Sequence, residues 1–212
     1  MPGRAKRNRV HTRDAQATRG RILDAVGSLL VREGFGALGV NAVAREADVD
    51  KVLIYRYFGG MDQLLEVWGN ASDFWPTVEE VLGPEPEPEL ASLVSGLLKR
   101  HLRALRARPH TLEVLAWETV TRHPLTAILD RIRETRSEQL MEALPDKLRE
   151  SKLDVLAFAA LLGAGMQHLL LRSRTVEVFN GVPIGTPAGW ERLEQAVDDI
   201  CARVFSTTPF KS

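Results

Sequence analysis

Between Leu38 and Phe58 the chain reads LGVNAVAREADVDKVLIYRYF, and this stretch constrains the fold more than any other. Val40, Val43, Ala44 and Ala47 recur at helical spacing, Asp48-Val49-Asp50 breaks the pattern, and Lys51 to Phe58 resumes it. That sequence of signals predicts a helix, a tight turn and a second helix. In the second helix Ile54 and Phe58 lie four apart and face inward, while Val52, Leu53, Arg56 and Tyr57 share the opposite side. A water-facing side of that composition fits the DNA major groove, where arginine donates two hydrogen bonds to guanine and valine or leucine contacts a thymine methyl.

The charge distribution agrees with that reading even though the chain as a whole is neutral. Residues 1–60 hold 11 lysines and arginines against 6 acidic residues, a net of +5, and the remainder holds 17 against 22, a net of −5. A basic footprint is therefore confined to the end that carries the helix-turn-helix.

The run from Arg19 to Leu65 contains Gly34-Phe35, Val43-Ala44, Ala47, Val49, Tyr55-Arg56-Tyr57-Phe58 and Leu64-Leu65 in order. It resembles the DNA-binding domain of TetR-family transcriptional regulators. The resemblance implies a three-helix head on a larger helical body that binds a small-molecule effector and dimerises through its last two long helices. Three positions depart from the family pattern: Gly39 stands where threonine is usual, Asp48 replaces the turn glycine, and Met61 stands where a lysine commonly meets phosphate. Aspartate adopts the left-handed conformation at modest cost, so the turn is expected to survive, with fewer groups holding the phosphates.

Residues 1–18 are polar and basic, and they are expected to form a disordered arm that follows phosphates or enters the minor groove through Arg4, Lys6, Arg7 and Arg9. Residues 19–60 are expected to be the helix-turn-helix domain and 61–212 the ligand-binding and dimerisation domain. In the head, Ile22, Val26, Leu29 and Leu30 form the stripe of a first helix, and Gly27 within it suggests a close neighbour. The candidate DNA contacts are Val40 and Asn41 at the start of the next helix, Asp50, Lys51, Val52, Leu53, Tyr55, Arg56 and Tyr57 along the turn and recognition helix, and the four basic arm residues. Asp50 is also placed to cap the recognition helix.

Every strong pattern beyond Gly59-Gly60 is helical, so the fold class expected is all-α. Met61 to Leu82 reads as a connecting helix kinked or split by Pro76, and Gly83 to Pro88 as a linker. Helices follow at Leu90 to Arg106, Thr111 to Arg122, from Pro124 to about Leu144, Leu153 to Arg172 and Pro187 to Phe205. The uncharged run Val155 to Leu171 is 17 residues long and holds Gln167 and His168, which favours a core helix over a membrane span. A helix apolar on every side needs more cover than its own domain supplies, hence the expected homodimer through about 153–172 and 187–205. Gly163-Ala164-Gly165 is read as allowing close backbone approach.

The single cysteine, Cys201, excludes an intrachain disulfide and suits a reducing cytoplasm. The five histidines are scattered, no metal-binding spacing is present, and neither a cofactor nor a catalytic residue is expected. Trp68, Phe74, Trp75, His101, Trp117, Phe158 and Met166 are the candidate lining of an effector pocket, which points to a hydrophobic or aromatic ligand. The expected function is a ligand-responsive regulator, a repressor released from a double-stranded DNA operator by its effector. Two alternatives use the same residues: an all-helical small-molecule enzyme or carrier, and a regulator-fold adaptor that has lost DNA binding.

Overall fold

The first helix, α1 (Gly3–Glu33), forms because Ile22, Ala25, Val26, Leu29 and Leu30 fall on one stripe, and all five are buried. The structure, a computed structural model, describes residues 3–70, 74–84, 87–119 and 124–205, with side chains described from Asp14 onward except at 124 and 125. The arm expected to be disordered is instead the N-terminal part of α1. The physical reason is that helix propagation onto an anchored stripe needs no new nucleus, and residues 4–18 contain neither proline nor glycine. The side chains of Arg4, Lys6, Arg7 and Arg9 lie outside the described residues.

After a 3-10 turn at Phe35–Ala37 come α2 (Val40–Glu46), α3 (Lys51–Phe58) and α4 (Met61–Gly69). The connecting helix expected over 61–82 ends at Gly69, and α5 (Val78–Leu82) restarts after Pro76 under a Thr77–Glu80 capping box. Then follow α6 (Leu90–Arg106), α7 (Pro109–Glu118), α8 (Pro124–Ala143), a 3-10 turn at Asp146–Leu148, α9 (Val155–Arg172) and α10 (Pro187–Val204). Pro109 opens α7 rather than merely ending α6, since proline's missing N–H costs nothing in a first turn. Among the described residues the only β pairing is an isolated bridge between Phe179 and Val182.

The chain divides into two compact units, Met1–Trp75 with Pro109–Glu134 and Pro76–Arg108 with Thr135–Ser212. The first therefore holds α4, α7 and the beginning of α8 along with the helix-turn-helix. Its core is built from Ile22, Val26, Leu29, Leu30, Val43, Ile54, Leu64 and Leu65, each at most 1% exposed. Burying such a side chain is worth about 1.5–3 kcal/mol, so the head is held chiefly by this cluster. Gly27 does have a close neighbour, because a Cβ there would lie 2.8 Å from Nε2 of His110 on α7.

In the second unit α6 is central and packs against α5, α9 and α10. Leu93, Val94, Leu98, Leu102 and Leu105 are its buried face. Toward α10, Lys99 pairs with Asp198 at 2.8 Å, Arg103 Nε donates to Glu194 at 2.9 Å, and the Arg106 guanidinium lies 4.7 Å from the Trp190 ring. The tight turn before α10 requires glycine at position 189, where a Cβ would meet the Pro183 carbonyl at 2.0 Å.

Helix α9 is the one described helix long and apolar enough to cross a membrane by length and composition, and only Val155, Met166 and Leu170 in it are buried. The expectation of a core helix is corrected to that extent: within one chain most of α9 is uncovered, because α6 packs on a single side of it. Close backbone approach at Gly163 and Gly165 is also absent among the described residues. A Cβ at Gly163 would meet Leu98 at an ordinary 3.9 Å, and one at Gly165 would meet nothing.

Candidate functional site

The helix-turn-helix is set by local geometry. Helix α2 starts at Gly39 with no side-chain cap, in keeping with the missing threonine. Between the helices Val49 N donates to the Ala44 carbonyl at 3.0 Å, and Asp48 takes up the turn at φ 51°. An aspartate there reaches the left-handed region that the usual glycine supplies, so the turn closes. Asp50 accepts from Val52 N at 2.8 Å and starts α3, while Gly59 at φ 88° ends it.

Helix α3 then divides by burial as its spacing demands. Ile54 and Phe58 are buried, Lys51, Val52, Tyr55 and Arg56 are exposed, and Leu53 and Tyr57 are half-buried. Val52 is 60% and Tyr55 55% exposed, which is a large apolar cost for a face with no partner. Asn41 is exposed and Val40 half-buried at the start of α2, so the candidate contacts of both helices lie at accessible positions.

Sequence reasoning missed Arg19. Its Nη1 donates to the Tyr57 carbonyl at 3.1 Å, and its guanidinium lies 4.8 Å from the Phe58 ring. The last carbonyls of a helix have no partner within it, and a cation there also meets the negative end of the helix dipole. Arg19 therefore fixes α3 from behind. At the other edge Arg32 joins Glu46 at 2.8 Å, linking the ends of α1 and α2; both side chains are solvated and the pair is weak.

The seven residues expected to share a pocket are divided between the two units. Trp68, Phe74, Trp75 and Trp117 belong to the first unit and His101, Phe158 and Met166 to the second. Trp68 and Phe74 pack with ring centroids 4.4 Å apart, and Phe74 packs on Trp75 at 4.8 Å. Trp117 donates from Nε1 to Glu113 and covers Gly34. In the second unit Phe158 meets Phe205 at 5.1 Å and Met166 is buried. Large aromatics fill cores as readily as pockets, and sequence position alone does not separate the two uses.

A cavity of about 530 Å³ does exist in the second unit, and of those seven only His101 lines it. Its walls come from α6 (Val94, Leu97, Leu98), α8 (Leu140, Met141, Leu144) and a stripe of small residues on α9, namely Ala159, Ala160, Gly163 and Ala164. Those side chains are too short to fill the space between the helices, and their i, i+1, i+4, i+5 spacing is the signal that locates the cavity in the sequence. Burial pushes the His101 imidazole below its ordinary value. Among the described residues no group of three or more histidine, cysteine, aspartate or glutamate side chains is arranged to hold a metal ion.

Residues 22–67, which span the stripe of α1 through most of α4, match the family model described as bacterial regulatory proteins, tetR family. An HTH-type transcriptional repressor of Streptomyces coelicolor is 27% identical over 106 residues, which is 50% of this chain and 52% of that protein. The chain thus aligns with about half the length of this curated relative. A TetR family transcription regulator from Marinobacter aquaeolei superimposes with a TM-score of 0.61 at 20% identity, covering 89% of this chain and 97% of that one. A TetR-like transcriptional regulator from Rhodococcus gives 0.59 at 18%, covering 90% and 97%. The fatty acid degradation regulator of Bacillus halodurans gives 0.56 at 16%, covering 84% and 97%. At these identities the solved structures establish the fold, and the matched domain coincides with the helix-turn-helix described above. The chain thus carries a domain of the tetR family over residues 22–67 and shares the fold of TetR-family regulators over most of its length.

Proposed function

We propose that this chain is a ligand-responsive transcriptional repressor that binds a near-palindromic DNA operator as a homodimer. The observation that carries the reading is α3: an apolar back of Ile54 and Phe58 sealed into the head, and a front of Lys51, Val52, Tyr55 and Arg56 turned to solvent. A front of that kind, with Leu53 and Tyr57 at its margins, offers a bidentate guanidinium for guanine and methyl groups for thymine. Asn41, Val40 and the basic residues Arg4, Lys6, Arg7 and Arg9 supply the remaining contacts, and Asp50 holds the start of the helix.

The uncovered face of α9 supports the dimer. Leu156 and Leu161 on α9, and Ile200 and Val204 on α10, are exposed, and a second copy of the same two helices covers them by a two-fold, self-complementary contact. Two heads so joined meet half-sites about one helical turn, or a multiple of it, apart. A hydrophobic or aromatic effector in the 530 Å³ cavity shifts the dimer toward a head spacing that no longer matches DNA, by no more than its differential affinity for the two states.

A gel shift with the DNA flanking the gene tests this. Arg56→Ala is expected to cost about 1–3 kcal/mol of operator binding and to relax base preference at one position per half-site. Undiminished binding by a folded Arg56→Ala protein would remove α3 as the reading element.

A further inference from the structure

The cavity also constrains the charge of what enters it. No Asp, Glu, Lys or Arg stands among its lining residues. Its polar groups are His101, Ser137 and Gln167, and none of their side chains has a hydrogen-bonding partner among the described residues. All three are therefore free to meet a ligand. With its protonation disfavoured by burial, His101 is neutral at pH 7 and offers one donor and one acceptor nitrogen. Ser137 and Gln167 each offer both kinds of group as well. The cavity opens to solvent beside Ser137, Met141 and Leu156, but an ion seated deeper, between the apolar walls beside His101, loses its water and gains no countercharge, which is the unfavourable case for burying charge.

We infer that the part of the effector held in the cavity is uncharged: an apolar body bearing one or two carbonyl, hydroxyl or amide groups that meet His101, Ser137 and Gln167. This rests on the reading above that the cavity is the effector site. A compound whose charge would have to sit between those helices is excluded from it by the same chemistry.

The experiment uses the full-length protein and two fluorescent probes that share one skeleton, N-phenyl-1-naphthylamine and its 8-sulfonate. The sulfonate sits on the naphthalene, so burying both rings buries the charge. Gly163→Leu fills the cavity, because only Leu98, at 3.9 Å, stands near that Cβ position; Ala160→Leu is the second filling variant, and thermal unfolding verifies that each is folded. Gln167→Arg brings in a cation that stays charged. The neutral probe is expected to bind at least about 10-fold more tightly than the sulfonate. Either filling variant should abolish that binding, and Gln167→Arg should narrow the gap. Equal affinity for both probes, with both lost on filling, overturns the inference about charge and leaves the cavity as the site. Neutral-probe binding that survives both filling variants, or no binding of either probe, overturns the cavity as effector site and the inference with it.

Discussion

Gly34→Ala is expected to destabilise the protein through two separable effects. Gly34 stands between α1 and the 3-10 turn at φ 74° and ψ −175°, a region that only glycine visits without strain, and a side chain held there costs about 1–3 kcal/mol. The new Cβ would also lie 2.4 Å from Cζ2 and 2.5 Å from Cε2 of Trp117, both ring atoms of a side chain that Glu113 holds in place. Overpacking of that kind costs about 1–3 kcal/mol more. The total of about 2–6 kcal/mol is a large part of the stability of an ordinary domain. For a chain of this size each kcal/mol moves Tm by about 2–4 °C, so scanning calorimetry resolves the effect and urea titration gives its free energy. Trp117→Leu separates the two parts by removing the ring while leaving the backbone as it is. The double variant should be less destabilised than the sum of the two single variants by about 1–3 kcal/mol. Single-variant costs that add to within about 0.5 kcal/mol would refute the contact between Gly34 and Trp117. A cost below about 1 kcal/mol for Gly34→Ala alone would refute the backbone strain as well.

Asp50→Ala removes the hydroxyl-free cap of α3 and should cost about 0.5–2 kcal/mol in urea denaturation, with operator binding weakened in parallel; an unchanged midpoint would show that Val52 N does not depend on that carboxylate. The Arg108 guanidinium, aided by the Thr77 backbone N–H, holds the Glu80 carboxyl below its ordinary value of 4.5. A depressed carboxylate contributes stability that is present above 4.5 and lost as pH falls through the depressed value. The Tm difference between wild type and Glu80→Gln should therefore be small but positive at pH 7 and vanish in acid, since Glu80 is 41% exposed and partly screened; a difference that does not change with pH contradicts the pairing. Leu161 is 78% exposed on α9, and Leu161→Glu should convert a dimer to monomers in sedimentation velocity; a wild-type protein that sediments as a monomer defeats the proposed interface.

Much of the fold was legible from periodicity and punctuation. The α6 bounds follow from its leucines and the prolines around it, Asp50 caps the helix it was expected to cap, and Ile54 and Phe58 are the buried back of α3. Punctuation failed where the signal was composition alone. Residues 1–18 were read as an arm because they are polar and basic, yet a helix anchored downstream extends back to Gly3. The α3 face was legible because a helix of eight residues with two inward anchors leaves its other positions no choice of direction. Arg19 was not, because its partner carbonyl lies 38 residues away and backbone acceptors leave no mark in a sequence.

The cavity beside α9 marks the boundary between the two kinds of information. The sequence by itself determined that the chain is helical, where α3 begins and ends, and which side of that helix is free, since each depends on neighbours within about four residues. Only the tertiary structure decided that four of seven candidate pocket residues fill a different unit from the other three, and that the space lies beside Ala159, Ala160, Gly163 and Ala164. A cavity is the volume that facing helices fail to fill, so it is set by the packing of α6, α8 and α9 together, and no single helix encodes it.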